Sequence, residues 1–327
     1  FMEIGIQIVS EIRQELETIL DRCGIMYCLF ARGKSKDSIE HKINAIPGKY
    51  TPNGKKIQDG IGFRIVFYFL EDVKTICHYL MAQHHIDIYV DKSDSEAELK
   101  ENEPAGIKYV EVFRPQRLNL IFRMHEERAK LFINELKSTD FSNPNTYQLI
   151  DTTYEIQLRS VLSEGWHEVE HDLRYKCKNA PMWSYCEAES RSLNGIYASL
   201  ETNEVAMELL FERMAYLNYK SKDWEDMLRN HFRIRINPYM NLSDENINAL
   251  NSDTRIAKRI LGIRRSNLHS ALLSINKRYP INYDNLLYLT NRMLGTEANQ
   301  SIINTEPVLI KEMLNVANIG QTNLNYS

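Results

Sequence analysis

Residues 153–160 read TYEIQLRS, and residues 163–175 continue as SEGWHEVEHDLRY. The first stretch alternates as a β-strand does, with Tyr154, Ile156 and Leu158 on one side and Glu155, Gln157 and Arg159 on the other. A carboxylate, an amide and a guanidinium in a row are costly on a strand unless they border a cleft. An antiparallel strand with one solvated face accounts for the same alternation. The second stretch changes to helical spacing, with Leu162, Trp166, Val169 and Leu173 on one face. Inside it sits HEVEH, the H-E-x-x-H spacing by which two histidines of one helix bind zinc in metalloproteases. Position 174 is arginine and no H-x-x-G-x-x-H extension follows, although Glu187 or Glu189 could be recruited as a third ligand.

Working outward, FRIVFYF (63–69) follows two glycines and is rich in β-branched and aromatic residues, as a buried strand is. Asp59 stands at its mouth, where it could hold Mg²⁺ through a carboxylate oxygen or merely cap a turn, and Arg64 lies one residue inside. In ARGKSKDSIEHKI, Arg32 and Lys34 alternate at a strand end, and Ser38 and Lys42 fall one turn apart on the helix that follows. Cations and a hydroxyl converging near a helix N-terminus can cradle a polyphosphate, and a solvated helix face explains Lys42 as well. Residues 3–22 form a helix with Ile4, Ile8, Ile12, Leu16 and Ile19 on one side. MYCLFAR, HIDIYV, IKYVEVF and NLIFRM are further strands, and a long helix runs around 187–217. From 220 onward strand signals fade and short amphipathic helices take over. The expected architecture is α+β: a mixed β-sheet flanked by helices over 1–219 and an α-helical accessory domain over 220–327.

The chain has 327 residues, 43% hydrophobic and 26% charged, an ordinary globular composition. Its net charge of −4 leaves no global nucleic-acid footprint. The five cysteines form no C-x-x-C pair, which suits a reducing compartment. Apolar runs are strand-length, and no charged segment leads into an apolar stretch near residue 1, so a cytoplasmic protein is expected.

Taken in order, R-x-K-x(3)-S-x(3)-K (Arg32 to Lys42), D-x-x-G-x-R (Asp59 to Arg64), E-I-Q-L-R-S and W-x-E-V-E-H-D-L-R-Y-K resemble the synthetase domain of the RelA/SpoT family. The resemblance covers roughly residues 20–215, where SLNGIYASLE looks like the family's closing helix. It implies a nucleotidyltransferase-like fold and a pyrophosphokinase that moves pyrophosphate from ATP to a ribose 3′-hydroxyl. Arg32 and Arg64 would hold adenine, and Lys34, Ser38 and Lys42 the phosphates. Asp59 and Glu155 would hold Mg²⁺, with Glu155 also accepting the hydroxyl proton. Gln157, Arg159, His171 and Lys176 would complete the phosphate or acceptor side. His171 matches a family position, whereas His167 stands where a small residue is usual, which makes HEVEH a coincidence.

One departure concerns the acceptor. Alarmone synthetases carry G-Y-R-S-x-H, whose tyrosine stacks on guanine. Here the region reads VFRPQRLNLIFRM, where Arg117 matches the arginine but Gln116 replaces the tyrosine and Leu120 the histidine. The resemblance therefore leaves three readings: a (p)ppGpp synthetase using GDP or GTP, a toxin-type relative acting on the 3′ end of tRNA or another nucleotide, or an inactive nucleotide-binding regulator. Between Arg255 and Arg278 seven Lys or Arg (255, 258, 259, 264, 265, 277, 278) occur with no Asp or Glu, a segment that could attract tRNA phosphates. Ile256, Ile260 and Ile263 lie at helical spacing beneath it, so a core-facing helix with a basic outer side is the simpler description. No membrane partner is expected, and oligomer formation stays open.

Overall fold

The computed structural model describes residues 3–82, 88–90, 118–175, 186–237 and 239–320. IKYVEVF, Arg117 and Lys176 lie outside the described residues. The chain divides into two compact units, one of Phe1–Glu17 and Tyr27–Thr202, the other of Thr18–Met26 and Asn203–Ser327.

The apolar stripe near the N-terminus becomes helix α1 (Ile6–Arg22), with Ile4, Ile8, Ile12, Leu16 and Ile19 all buried. The strands are β1 (Tyr27–Gly33), β2 (Ile61–Phe67), β3 (Ile88–Val90), β4 (Leu118–Arg123) and β5 (Thr153–Ser160). They form one five-stranded sheet in the order β1-β2-β5-β4-β3. Only β2 and β5 run parallel; β1 with β2, β4 with β5 and β3 with β4 are antiparallel. Helices α2 (Lys36–Ala45), α3 (Leu70–Ala82), α4 (Glu126–Ser138) and α5 (Val161–Glu170) join and flank them. The α+β expectation, a mixed sheet flanked by helices with a helical C-terminal region, holds.

The two central strands set the sheet's chemistry. Phe63 and Tyr154 meet edge to face at 5.7 Å, and Tyr154 stacks on Phe122 at 5.5 Å, so the apolar side of β5 is buried across three strands. The opposite side is left to Glu155, Gln157 and Arg159. Glycine is required where β1 ends: a Cβ at Gly33 would stand 1.8 Å from the Ile4 carbonyl oxygen. That close approach lets Ile4 N donate to the Lys34 carbonyl at 3.1 Å while Lys34 N donates to that of Gly60 at 2.8 Å, which fixes Lys34 at the sheet's edge.

Helix α5 turns differently from the expected stripe. Ser160 and Ser163 form a reciprocal cap at its start, and the buried residues are Ser163, Trp166 and His167. Val169 is 50% and Leu173 69% exposed. The Trp166 indole donates to the Leu193 carbonyl at 3.1 Å and meets Tyr197 edge to face at 4.9 Å. Leu162, Trp166, Val169 and Leu173 therefore do not share a buried side. Both partners lie on the long helix α6 (Glu187–Ser221), whose residues from Asn203 on belong to the second unit.

The second unit contains helices α7 (Trp224–Phe232), α8 (Asp244–Ser252), α9 (Thr254–Ile260), α10 (Arg265–Ser274), α11 (Tyr283–Met293), α12 (Gln300–Asn304) and α13 (Val308–Val316). They close on one core that includes Phe232, Leu250, Leu268, Leu272 and Leu287. Ile256 and Ile260 are buried as expected. No described helix is long and apolar enough to cross a membrane.

Candidate active site

Strand register assembles the site. Gly62 of β2 stands between Arg32 of β1 and Glu155 of β5, and Arg64 stands opposite Gln157. A Cβ at Gly62 would meet nothing within 4 Å, so the missing side chain leaves open floor between the Arg32 and Glu155 backbones. A cleft of about 870 Å³ opens there. Its wall takes in Arg32, Lys34, Lys42 and Asp59 from the β1 side, then Arg64, Glu155, Gln157 and His171 from the β5 side.

Asp59 is the charge centre. Lys34 Nζ donates to its Oδ2 at 2.7 Å and to its backbone carbonyl at 2.9 Å, while Lys42 Nζ donates to Oδ1 at 2.7 Å and Oδ2 at 2.8 Å. Burial alone would raise the Asp59 pKa, but the two ammonium groups outweigh it and bring it to about 2. Burial lowers the Lys34 pKa, with Lys42 acting in the same direction and Asp59 against it. Ser38 is exposed, and its Oγ lies 2.9 Å from that of Ser35, the residue capping α2. It lies outside the cleft wall.

On the β5 side a relay runs through an amide. Arg64 Nε donates to Gln157 Oε1 at 3.2 Å, and Gln157 Nε2 donates to Glu155 Oε2 at 3.0 Å. Arg64 Nη1 also donates to Glu164 Oε1 at 2.5 Å and to Glu168, both on α5. Burial would lower the Arg64 pKa, but these carboxylates outweigh it and raise it above its ordinary value. Arg159 is buried, with Nε 4.0 Å from Glu164 Oε2, and lies outside the cleft wall.

The two histidines of HEVEH have different surroundings. His167 is buried against Trp166 and Tyr197. His171 begins a π-helical turn (His171–Tyr175), is exposed, and reaches the cleft wall with Nδ1 3.4 Å from Asp172 Oδ1. Among the described residues no group of three or more His, Cys, Asp or Glu is placed to hold a metal ion. Asp59 and Glu155 line one cleft and are hard-oxygen donors of the kind Mg²⁺ takes, with both Asp59 oxygens here accepting from Lys34 and Lys42.

Sequence reasoning missed Arg13, which enters the wall from α1, and Glu164 and Glu168 behind Arg64. The i, i+4 spacing of the two glutamates just after the EIQ strand was the available signal. Arg13, an exposed helix residue paired with Glu17, offered none.

Asp59 at the mouth of β2 and Glu155 on β5 share one cleft with Arg32, Lys34, Lys42 and Arg64, a charge pattern suited to phosphate groups. Residues 31–180 match the family model described as the region found in RelA / SpoT proteins. Over these residues the chain carries a region of the RelA/SpoT type. No curated protein matches the chain. Among solved structures it is similar to the small alarmone synthetase 1 from Bacillus subtilis, at 21% identity over 62% of this chain and 90% of that one, with a TM-score of 0.39. The same protein bound to its product pppGpp gives 20% identity over 62% and 91%, with a TM-score of 0.39. A GTP pyrophosphokinase family protein from Streptococcus pneumoniae gives 19% identity over 60% and 87%, with a TM-score of 0.37.

Proposed function

We propose that the protein is an ATP-dependent pyrophosphokinase that transfers the β,γ-pyrophosphate of ATP to a nucleotide ribose 3′-hydroxyl, with GDP or GTP as the acceptor and (p)ppGpp as the product. The observation that carries this is the convergence on one cleft of Arg32, Lys34, Lys42, Asp59, Arg64 and Glu155, drawn from three separate motifs. In this reading Arg32 and Arg64 bind the adenine, and Lys34 and Lys42 bind the triphosphate, with Ser38 on the first turn of α2 beside them. Both ammonium groups are held by Asp59. An arriving triphosphate competes for them and releases carboxylate oxygens of Asp59. Asp59 and Glu155 would then hold Mg²⁺, which supplies charge neutralisation at the attacked phosphorus. Glu155 takes the proton of the 3′-hydroxyl as that oxygen bonds to the β-phosphorus. The α,β-bridging P–O bond breaks, and AMP leaves. Gln157, donating to Glu155 Oε2, keeps that carboxylate oriented. The product ties the enzyme to the stringent response in the cytoplasm. Residues 1–219 form the catalytic domain and 220–327 an accessory one.

The test offers purified protein, Mg²⁺ and γ-labelled ATP to GDP, GTP, ATP and bulk tRNA in parallel, with Glu155→Gln as the control. Label on a guanosine nucleotide, absent with Glu155→Gln, is the expected result. Label on tRNA alone would reassign the protein to translation control, and no transfer to any acceptor would overturn the pyrophosphokinase reading.

A further inference from the structure

Arg64 rises from the middle of β2 into the cleft, and three groups from outside β2 hold its guanidinium. Gln157 accepts from Nε at 3.2 Å, Glu164 from Nη1 at 2.5 Å, and Glu168 also accepts from Nη1. Glu164 and Glu168 are one turn apart on α5, so they meet the same nitrogen from the same side. Neither lines the cleft, and Glu164 is the better shielded, at 15% exposure against 53% for Glu168. The carboxylates therefore stand behind the arginine and the cleft in front of it.

This placement has two consequences. A long side chain that a ligand must immobilise weakens binding, whereas one already fixed does not. Two carboxylates on one guanidinium also offset its charge, which suits it to a planar, neutral base rather than to phosphate. The phosphate-binding charge is left to Lys34 and Lys42 on the other wall.

We propose that Glu164, with Glu168 as a weaker second anchor, is a positioning residue that fixes the Arg64 guanidinium for the nucleotide base and so sets ATP affinity rather than transfer rate. The proposal rests on the cleft being the ATP site.

The full chain is titrated with Mg²⁺ and the non-hydrolysable α,β-methylene analogue of ATP, and separately with inorganic tripolyphosphate, which has no base. Glu164→Gln should bind the analogue about tenfold more weakly, the size of one hydrogen bond to a charged group. Tripolyphosphate affinity and kcat should stay within about twofold, because the lysine wall is untouched. Glu164→Asp should be intermediate, and Glu168→Gln should cost about two- to threefold. Arg64→Ala and Arg64→Ala/Glu164→Gln should bind the analogue equally, since Arg64 is the neighbour of Glu164 that lines the cleft, whereas Arg159, 4.0 Å from Glu164, lies outside the wall. Unchanged affinity in Glu164→Gln, equal weakening of analogue and tripolyphosphate, or additive effects in the double variant would each overturn the positioning role while leaving the ATP site standing. Failure of the unaltered protein to bind the analogue would overturn the ATP site itself, and this role with it.

Discussion

Arg32 and Arg64 in the first unit and Arg265 in the second are put to opposite uses. In the first, Arg32 is exposed and Arg64 is held with its guanidinium in the cleft wall, where a ligand can reach both. In the second, Arg265 is 3% exposed and donates through Nε to the Phe232 carbonyl at 2.7 Å and through Nη2 to that of Arg233 at 3.3 Å. Those carbonyls end helix α7, where Arg233 adopts a left-handed φ of 48°, so Arg265 satisfies groups that a helix terminus leaves open. Arg22 does the same for α10, donating to the Leu273 carbonyl at 2.7 Å and that of Ile275 at 2.5 Å. Arg292 meets Glu306 through two bonds, at 2.7 and 2.6 Å. The comparison teaches that cation count says little about cation use. What matters is whether the charge faces solvent or a neighbouring helix end.

That contrast can be broken in four places. The largest effect is expected from Glu155→Gln, which should lower pyrophosphate transfer by about a thousandfold, as loss of a general base does, while thermal melting stays near that of the unaltered protein. If melting falls as far as activity, Glu155 belongs with the structural charges. Arg265→Ala should do the reverse. It strands two buried carbonyls and should cost about 3 kcal/mol of stability in denaturant titration, with nucleotide affinity of the folded protein unchanged. Retention of full stability would return Arg265 to the surface run.

A smaller effect is expected from Gly62→Val. The strand geometry and the open space around a Cβ there accommodate a β-branched side chain, so stability should hold. The added methyls fill the floor between Arg32 and Glu155, and the KM for ATP should rise about tenfold. A lost fold would show that the gap is structural rather than functional.

The smallest effect is in acid. Burial, helped by the charges of Arg233 and Arg265 and opposed by its bond to the Ile263 carbonyl, lowers the His231 pKa to about 4. An unfolded histidine titrates near ~6.5, so between these values the unfolded chain binds the extra proton. The second unit should therefore lose stability as pH falls from about 6.5 toward 4, and no further below that from this group. Asp59, depressed to about 2, makes a contribution that is present above the ordinary carboxylate range and lost only as pH falls from about 4 to 2. Limited proteolysis at stepwise lower pH, read by mass spectrometry, should show cuts beyond Asn203 before cuts around the cleft. The opposite order would contradict the comparison.

Several features were legible in the chain itself. The stripe of Ile4, Ile8, Ile12, Leu16 and Ile19 along α1 is a strong periodic signal, and all of these residues are buried. The alternation of TYEIQLRS separated the packed side of β5 from the side that carries Glu155 and Gln157. Other features were not. A helical wheel placed Val169 and Leu173 with Trp166, yet Trp166 packs on Tyr197 and bonds to the Leu193 carbonyl while Val169 and Leu173 stay exposed, because which side of a helix is covered depends on the element that packs on it. Arg265 read as one of seven surface cations because periodicity cannot see a helix end arriving from 33 residues upstream.

By itself the sequence determined the types and spacings of the groups that line the cleft: the strand with Glu155 and Gln157, the cations at 32, 34 and 42, and the carboxylate at 59. Local spacing suffices for these, because helix and strand periods are fixed by backbone geometry. Only the tertiary structure decided what each charge faces. It paired Lys34 and Lys42 with one carboxylate 25 and 17 residues away, set two α5 glutamates behind Arg64, and buried Arg265 at a helix end. The physical reason is that the interaction energy of a charge depends on distance and burial, which arise when elements far apart in the chain pack together.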